Sequence, residues 1–367
     1  MNILIAESSR AVGGQELAVL LHAERLCKRG HRVRLVLEPQ SPIMAMAKER
    51  GLPVEPFIMQ QWRLPWSILA FRRLLKRDHP DIVHVNSSRD SWLAALATRL
   101  VDPRPKVIRT RHISAPLTNN RATHLLYRRL FDMVIVTGGE RNRQDLIHRD
   151  GLRPERVAAF PIGLDVEHFS PAKPLHDIRA ELGIPPSHRL VGIISYLRDY
   201  KGHRYFVEAA AKVLKQHQGV AFLIVGEGPE EQNIRAQIER LGLAADVRMV
   251  GFRDDLLDVF RSLDLFVIPT VEGDTIPQVL MQALALGLPV VSTTTGSIPD
   301  VVTDGESGFI VPPRDADALA DRIGRLLADP DLRAAMGRRG RQTVEHSYSI
   351  DRMVDELEGV YRRVITP

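Results

Sequence analysis

The stretch LVGIISYLRDYKGH, residues 190–203, contains one complete structural unit of this chain. It opens with an unbroken apolar run, which is typical of a strand that is buried on both faces of a parallel sheet. A loop carrying Arg198 and Lys201 follows, and an amphipathic pattern over residues 203–216 then indicates a helix. The stretch therefore predicts a strand, a basic loop and a helix in succession, which is the repeating unit of α/β folds.

The same succession recurs on both sides of this stretch. Strands are predicted at residues 2–6, 32–37, 54–58, 81–86, 106–110, 133–137 and 156–160, and again at 190–195, 220–225, 247–250, 265–268, 289–292 and 309–311. Helices are predicted at residues 15–29, 66–77, 91–100, 203–216, 229–241, 277–286, 315–328 and 350–364. This alternation predicts parallel sheets with right-handed crossovers.

The predicted elements divide into two doubly wound, Rossmann-like domains of the α/β class, at residues 1–165 and 170–345. A proline-containing hinge at residues 160–174 joins them. The last helix, at residues 350–365, can pack on either domain, including back on the first. Since such folds bind ligands beyond the carboxyl ends of their strands, the two sheets are expected to face an interdomain cleft.

The composition supplies enough apolar sequence for two cores, since 44% of the 367 residues are apolar and 26% are charged. No apolar run approaches the ~20 residues of a membrane span, and the strand-like N-terminus does not resemble a signal peptide. Cys27 is the only cysteine, which excludes intramolecular disulfides and cysteine-rich zinc sites. These features predict a cytoplasmic protein.

The net charge of +5 is unevenly distributed. Residues 1–165 contain 27 Lys and Arg against 16 Asp and Glu, whereas residues 166–367 contain 23 against 29. A basic half of this kind attracts nucleic acid, anionic lipid or a phosphorylated substrate. The chain has no aromatic-rich basic strand and no recognised nucleic-acid motif, so nucleic acid is not expected as a partner.

Several glycine-containing loops follow predicted strands. Gly13 and Gly14 precede the first helix, where they either admit an anion to the backbone N–H groups or form a tight turn. Arg198 and Lys201 either clamp a diphosphate in place of a metal ion or belong to a solvated loop. Gly226, after the next strand, suits a nucleotide-facing turn. The first loop has no dinucleotide-binding fingerprint, so a nicotinamide dehydrogenase is not expected.

The stretch VEGDTIPQVLMQALALGLP, residues 271–289, joins a loop to a helix. Pro277 suits the first turn of that helix, and Gly287 suits its C-terminal end. Asp274, just before the helix, either contacts a sugar or is a simple helix cap. The predicted substrate-binding residues of the stretch are Glu272, Thr275, Ile276, Pro277, Gln278 and Gln282.

Taken in order, these motifs resemble glycosyltransferase family 4, the group 1 retaining enzymes with the GT-B fold. The run PIGLDVEHFSP at residues 161–171 resembles the hinge of that family, and the loop at residues 198–202 resembles its diphosphate clamp. The runs GLPVVST, GSIPD and DGESGFIVPP between residues 287 and 313 resemble its most recognisable region. The resemblance covers nearly the whole chain and implies a nucleotide-sugar donor in the second domain and an acceptor in the first.

The chain departs from the family's signature, which has two glutamates eight positions apart. Asp274 and Gln282 stand at that spacing, and Glu272 is an alternative first acid. By the resemblance, the first acid contacts the hydroxyls of the donor sugar and the second binds the ribose. Gln282 offers one carbonyl oxygen in place of a carboxylate, so we expect weaker ribose binding or compensation by another residue. Arg198 also lies three residues before Lys201, whereas many relatives place the arginine five before.

His112 follows the predicted strand at residues 106–110 and resembles the family's histidine beside the reacting anomeric carbon. Without the resemblance, a lone histidine there is more often structural. Arg109 and Arg111 add positive potential for the leaving group or the acceptor, and Glu16 either faces the acceptor or favours the helix N-terminus. The predicted catalytic residues are His112, Asp274, Arg198 and Lys201, and the first domain contributes Gly13, Gly14, Glu16 and Arg111 to the substrate-binding set.

Two segments of the first half combine cations with apolar positions. Residues 62–77 contain two of the three tryptophans and an apolar stripe that includes Trp66, Leu69 and Leu74. Residues 121–131 are the second candidate. Each is either an interfacial helix on an anionic membrane surface or a helix that packs on the sheet and keeps its charges solvated.

The sequence therefore predicts a metal-independent, retaining glycosyltransferase that needs no cofactor, because the nucleotide sugar is a co-substrate. Its acceptor is expected to be a glycan or a lipid-linked molecule, in bacterial envelope glycan, lipopolysaccharide or glycolipid synthesis, with the inner face of the membrane as a peripheral partner. Two alternatives remain: a GT-B relative with epimerase or phosphorylase activity, and a non-catalytic nucleotide-sugar-binding protein.

Overall fold

The structure is a computed structural model, and it describes residues 1–11, 13–59, 64–112, 116–160, 163–172, 176–272 and 276–366. The chain divides into two compact units. Unit 1 consists of Met1–Gly163 together with Asp351–Pro367, and unit 2 consists of Leu164–Ile350.

Unit 1 is built on a seven-stranded parallel sheet. Its strands are β1 (Asn2–Glu7), β2 (Arg32–Leu37), β3 (Val54–Pro56), β4 (Ile82–Val85), β5 (Lys106–Arg111), β6 (Met133–Thr137) and β7 (Val157–Phe160). They pair in the order β3-β2-β1-β4-β5-β6-β7, with Ile3 of β1 opposite Val33 on one side and Ile82 on the other. The strand order reverses at β1, as in doubly wound folds.

Helices connect these strands. They are α1 (Gly14–Lys28), α2 (Pro42–Glu49), α3 (Leu64–Asp78), α4 (Ser88–Ala97), α5 (Arg121–Leu125) and α6 (Glu140–His148). Directly after α5 the chain forms a π-helical turn at Leu126–Leu130.

Unit 2 is built on a six-stranded parallel sheet with the order β10-β9-β8-β11-β12-β13. Its strands are β8 (Arg189–Ile194), β9 (Val220–Val225), β10 (Val247–Met249), β11 (Leu265–Ile268), β12 (Val290–Thr293) and β13 (Phe309–Val311). Its helices are α7 (His203–Val213), α8 (Glu231–Arg240), α9 (Leu256–Ser262), α10 (Gln278–Ala285), α11 (Ala316–Ala328) and α12 (Pro330–Ser347). Strands β9 and β11 are buried along their whole length, as unbroken apolar runs predict.

The last helix, α13 (Ile350–Ile365), packs in unit 1. Tyr361 is fully buried there, and its hydroxyl lies 2.7 Å from Nδ1 of His84. At the surface, Arg29 forms an ion pair with Asp355. The C-terminal segment therefore completes the core of the unit that contains the N-terminus.

The predicted α/β class and the two doubly wound parallel sheets are confirmed. Every predicted strand is present, with ends that shift by at most two residues. The sequence did not predict α2, α6, α9 or α12. In α12 the buried positions include Gly337 and Gly340, which add nothing to a hydrophobic pattern, so this helix had no periodic signal to reveal it.

The apolar stripe predicted on α3 is divided between two faces of the helix. Trp66 is 75% exposed and Leu69 is 45% exposed, whereas Leu74 is buried in the core near Phe71. Leu74 therefore does not belong to the surface that an interfacial helix would present, because it lies three residues after Phe71 and shares the core-facing side of the helix. Trp62 lies outside the described residues.

The second basic segment forms α5 and the π-helical turn, with Leu125 at the surface. Arg128 in this segment donates a hydrogen bond of 2.9 Å to the carbonyl oxygen of Asp150. None of the helices in the described parts of the chain has both the length and the apolar character that crossing a membrane requires.

Candidate active site

The loops that follow the strands of unit 2 lie at one edge of its sheet, because all its strand pairs are parallel. The N–H of Val271, after β11, donates to the carbonyl oxygen of Tyr200, after β8, at 2.8 Å. The hydroxyl of Thr293, at the end of β12, donates to the carbonyl oxygen of Thr270 at 2.5 Å. Hydrogen bonds thus join three of the loops that the sequence singled out.

Arg198 and Lys201 belong to one short loop but line different cavities. Lys201 lines a small pocket with Thr270 and Pro277. Arg198 lines a separate cavity of about 290 Å³ beside α7 and α8. Its guanidinium carbon lies 5.2 Å from the centre of the Tyr196 ring. Arg198 and Lys201 therefore line different cavities, and their joint role as a diphosphate clamp stays a prediction.

Helix α10 begins one residue later than the sequence predicted. Pro277 is its N-cap residue, with φ −63° and ψ 132°, and the first helical residue is Gln278. Placing Pro277 in the first turn was therefore wrong, because its ψ is extended. Asp274 and Thr275 lie outside the described residues, and their roles stay predictions. Gly287, with φ 74°, follows the last turn as predicted.

The other described candidates of this stretch differ in exposure. Glu272 is exposed, Gln278 is half-buried and Ile276 is nearly buried. Gln282 lies inside α10, and its Oε1 is buried without a hydrogen-bond partner among the residues described. A buried carbonyl oxygen of this kind is unfavourable unless a donor reaches it, and a sugar hydroxyl is such a donor.

The sequence did not single out His203 as a site residue. It is the first residue of α7. It is 2% exposed, and its Nε2 lies 3.0 Å from the hydroxyl of Ser195 at the end of β8. Burial, with a smaller contribution from the positive charge of Lys201, lowers the pKa of His203 to about 4. His203 is therefore neutral at pH 7. The sequence signal that could have identified His203 is its position directly after a Lys-Gly pair at the start of a predicted helix.

Gly226 brings the loop after β9 close to the loop after β8. A Cβ atom at this position would lie 2.0 Å from the carbonyl oxygen of Ser195, and the φ of 136° also disfavours any other residue. The loop geometry alone accounts for this glycine, and a nucleotide contact stays a prediction.

In unit 1, Gly13 and Gly14 mark the start of α1, with Gly13 as its N-cap residue. The N–H of Gly13 donates to Oε2 of Glu16 at 2.8 Å. Glu16 is 7% exposed, so its carboxylate is directed to the helix end. Of the two predicted roles of Glu16, the structure contains the helix-capping one.

His112 directly follows β5. Its Nε2 lies 3.5 Å from Oδ1 of Asn86, at the end of β4, and its Nδ1 is buried without a hydrogen-bond partner in the described part of the chain. Burial is the largest cause that lowers the pKa of His112, and the charge of Arg109 adds to it. The imidazole is therefore neutral at pH 7. Arg111, the last residue of β5, is buried against Tyr127.

A buried acidic network at the ends of β1 and β4 was also not predicted. Glu7 is fully buried and accepts hydrogen bonds from the Ser87 hydroxyl at 2.5 Å and from Nε2 of Gln15 at 2.6 Å. Asp90 accepts from the backbone N–H of Ser87 at 2.9 Å. Burial raises the pKa of Glu7. These hydrogen bonds join the end of β1 to the start of α4.

Across the residues that the structure describes, no group of three or more His, Cys, Asp or Glu side chains is arranged to hold a metal ion.

Comparison with known proteins covers both units. Residues 12–168 match the family described as Glycosyltransferase Family 4, and residues 176–343 match the family described as Glycosyl transferases group 1. Over 365 residues the chain is 28% identical to the D-inositol 3-phosphate glycosyltransferase of Corynebacterium jeikeium (strain K411), an alignment that covers 89% of this chain and 86% of that protein.

Two further relatives also match most of the chain. The chain is 24% identical over 307 residues to the UDP-Gal:alpha-D-GlcNAc-diphosphoundecaprenol alpha-1,3-galactosyltransferase of Escherichia coli, with 80% of this chain and 78% of that protein covered. It superposes on the crystal structure of Anabaena Alr3699/HepE in complex with UDP with a TM-score of 0.86 at 21% identity, covering 99% of this chain and 100% of that one.

The family matches fall one in each unit, and each unit has a parallel, doubly wound sheet. Both curated relatives named above are sugar transferases. We conclude that the chain belongs to glycosyltransferase family 4, group 1, and is a glycosyltransferase with the GT-B fold.

Proposed function

We propose that the protein transfers a sugar from a nucleotide-diphosphate sugar to an acceptor hydroxyl, with retention of configuration and without a metal ion. Unit 2 binds the donor and unit 1 binds the acceptor. The observation that carries this proposal is the cluster at the carboxyl edge of the unit 2 sheet, where Lys201 lies with Thr270 and Pro277. It combines a cation with the N-terminal end of α10, and both favour a phosphate group.

The mechanism depends on charge that develops on the leaving diphosphate. Lys201 and the backbone N–H groups at the start of α10 stabilise that charge, which is the work a metal ion does in other transferases. Gln282 accepts a hydrogen bond from a ribose hydroxyl through its unpartnered Oε1. His112 is neutral and contributes a hydrogen bond, not a charge, to the reacting sugar.

The relatives support the choice of substrates. One solved relative contains UDP, and one curated relative is described by a UDP-sugar donor and a diphosphoundecaprenol-linked acceptor. We therefore propose a nucleotide-diphosphate sugar as donor and a glycan or lipid-linked acceptor in bacterial envelope glycan, lipopolysaccharide or glycolipid synthesis, on the cytoplasmic side of the membrane.

The substitution Lys201→Ala tests the donor site. Turnover should fall by about 10²- to 10³-fold, the effect of removing one group that stabilises developing negative charge. The matched control is Lys215→Ala, which removes an exposed lysine of the same unit. Initial rates are measured by mass spectrometry of the product, after a thermal-shift screen of nucleotide-diphosphate sugars. Equal turnover of the Lys201→Ala and Lys215→Ala variants would remove Lys201 from the mechanism.

The same assay separates the alternatives. Conversion of the nucleotide sugar without any sugar acceptor indicates an epimerase or phosphorylase. Stabilisation by nucleotide with no conversion, over a panel of sugars and acceptors, indicates a binding protein. Transfer to an acceptor with inverted configuration would refute the retaining mechanism.

We further propose that the exposed face of α3 attaches the protein to an anionic membrane. Trp66 and Leu69 are exposed on this helix, and Arg73 and Lys76 are exposed cations beside them. Apolar side chains flanked by cations are the pattern of an interfacial helix. Sedimentation with anionic vesicles should decrease with salt and with the pair Trp66→Ala and Leu69→Ala. Absence of binding at low salt would refute this surface.

A further inference from the structure

Two arginines lie buried at the carboxyl end of β5. Arg109 is 8% exposed and Arg111 is 5% exposed. Their side chains lie on the same face of the sheet, because they are two residues apart in a strand. Thr110, between them, points to the opposite face, where its hydroxyl lies 2.6 Å from Nε2 of His84. The chain thus places two guanidinium groups on one face of β5, one and three residues before His112.

Both arginines contact Tyr127. The tyrosine hydroxyl accepts hydrogen bonds from Arg109 and from Arg111, and the guanidinium carbon of Arg111 lies 5.5 Å from the centre of the ring. Tyr127 belongs to the π-helical turn at Leu126–Leu130. Turns of this kind are rare and occur often at functional sites.

The hydrogen bonds of Arg109 within the described residues go to neutral groups. Its Nη1 donates to the carbonyl oxygens of Thr110 at 2.6 Å and of Val85 at 3.5 Å, and the third acceptor is the hydroxyl of Tyr127. Its Nε is buried and has no acceptor among the described residues. A guanidinium cannot lose its charge in a protein. Arg109 therefore keeps both a buried charge and an unused donor.

Nearby acidic groups compensate this charge only in part. Asp90 interacts electrostatically with Arg109, but burial, reinforced by Glu7, holds the pKa of Asp90 well above its usual value. His84 and His112 have lowered pKa values and are neutral. Burying a cation is unfavourable unless an anion is close to it. The arrangement is stabilised when an anion from outside the chain binds.

The positive charges of Arg109 and Arg111 also change the pKa of Tyr127. Burial raises the pKa of Tyr127, but the two guanidinium groups outweigh it and lower the pKa below its ordinary value of 10. The site therefore favours negative charge at the position of the Tyr127 oxygen.

We propose that Arg109, Arg111 and Tyr127 form a binding site for an anionic group, a phosphate or a carboxylate, on the acceptor. Assigning the anion to the acceptor rests on the proposed function, since unit 1 is the proposed acceptor unit. The position beside His112 places the anionic group next to the reacting hydroxyl. Acceptors with such a group are bound in preference to their neutral counterparts.

Binding of inorganic phosphate, followed by ³¹P NMR, tests the site directly. The Lys201→Ala variant is the background, because it removes the proposed donor-phosphate site in unit 2. In this background Arg109→Gln should weaken phosphate binding by about tenfold or more, the effect of losing hydrogen bonds to a charged group. Arg153→Gln, at an exposed arginine of unit 1, is the matched control and should change nothing.

The second variant is Arg109→Lys, which keeps the charge and loses the fork of donors, so its binding should lie between the other two. Circular dichroism and thermal unfolding confirm that each variant is folded. Phosphate binding that is undetectable in the Lys201→Ala background, or that is equal in the folded Arg109→Gln and Arg153→Gln variants, would overturn the proposal. Repeating the titration with acetate distinguishes a phosphate site from a carboxylate site.

Acceptor kinetics separate this inference from the proposed function. With a transferring enzyme, Arg109→Gln should raise the KM for an anionic acceptor about tenfold and leave the KM for its neutral counterpart unchanged. Equal effects on both acceptors would assign Arg109 a structural role. If no sugar is transferred but phosphate binding depends on Arg109, the proposed function fails and the anion site stands.

Discussion

Gly202 sits where a side chain has no room, and replacing it tests the geometry of the Lys201 loop. It joins the short turn that ends at Lys201 to the first residue of α7, with φ 77° and ψ 20°. A Cβ atom built on Gly202 would lie 2.0 Å from the carbonyl oxygen of Pro269 and 2.8 Å from its carbonyl carbon. Both obstructing atoms are backbone, so no side chain can rotate away.

The expected cost of Gly202→Ala has two parts. An alanine in the left-handed region costs about 1–2 kcal/mol in the free energy of unfolding. The Cβ–oxygen separation must also open from 2.0 Å to the 3.4 Å where ordinary contact begins, and overpacking of this kind costs typically 1–3 kcal/mol. The sum is roughly 2–5 kcal/mol. Since the loop must move, turnover should fall together with stability.

Gly242→Ala is the matched control in the same unit. Gly242 has φ 70°, and nothing lies within 4 Å of a Cβ built on it. This substitution should therefore cost only the conformational part, about 1–2 kcal/mol, and leave turnover unchanged. Urea unfolding measures both free energies. If Gly202→Ala destabilises the protein no more than Gly242→Ala, the close approach between Gly202 and Pro269 is refuted.

Three further predictions follow from buried polar groups. Tyr361→Phe removes the hydrogen bond to His84 and should cost about 1–3 kcal/mol in urea unfolding, and an unchanged free energy of unfolding would contradict a stabilising hydrogen bond between these two residues. Burial lowers the pKa of His22 to about 4, so the neutral form is favoured in the folded state. Its contribution to stability is therefore complete above pH 6.5 and is lost as the pH falls towards 4, by about 1.4 kcal/mol per pH unit. Unfolding at pH 7.5, 6 and 5 measures the total slope, to which His84, His112 and His203 also contribute, and His22→Gln should reduce it by the share of His22. Gln282→Met removes the unpartnered carbonyl oxygen and should weaken nucleoside diphosphate binding about tenfold without loss of stability, as isothermal titration and thermal unfolding can check.

The strands could be predicted because each is a short apolar run between loop residues. β9, for example, coincides with residues 220–225 as the sequence indicated. A buried parallel strand needs apolar side chains on both faces, so its pattern is local and does not depend on its neighbours. The helix start at residue 278 was misplaced by one position, because the choice between Pro277 as N-cap and Pro277 in the first turn depends on its ψ.

The sequence predicted only part of the candidate site. Lys201 and Pro277 were both selected from sequence, but their shared pocket depends on two strands that are neighbours in the sheet and distant in the chain. Arg198 was assigned to the same clamp by its spacing from Lys201. Its stacking on Tyr196, and hence its different cavity, is a choice of side-chain conformation that spacing does not encode.

The sequence by itself determined the α/β class, the two doubly wound sheets and the glycosyltransferase family, because hydrophobic periodicity and loop motifs are properties of neighbouring residues. Only the tertiary structure decided which buried charges and donors stay uncompensated. The contact between His84 and Tyr361 joins residues 277 positions apart, and the contact of Arg109 with Tyr127 joins a strand to a turn beyond the next helix. The cost of a buried charge depends on everything packed around it, and that packing exists only once the chain has folded.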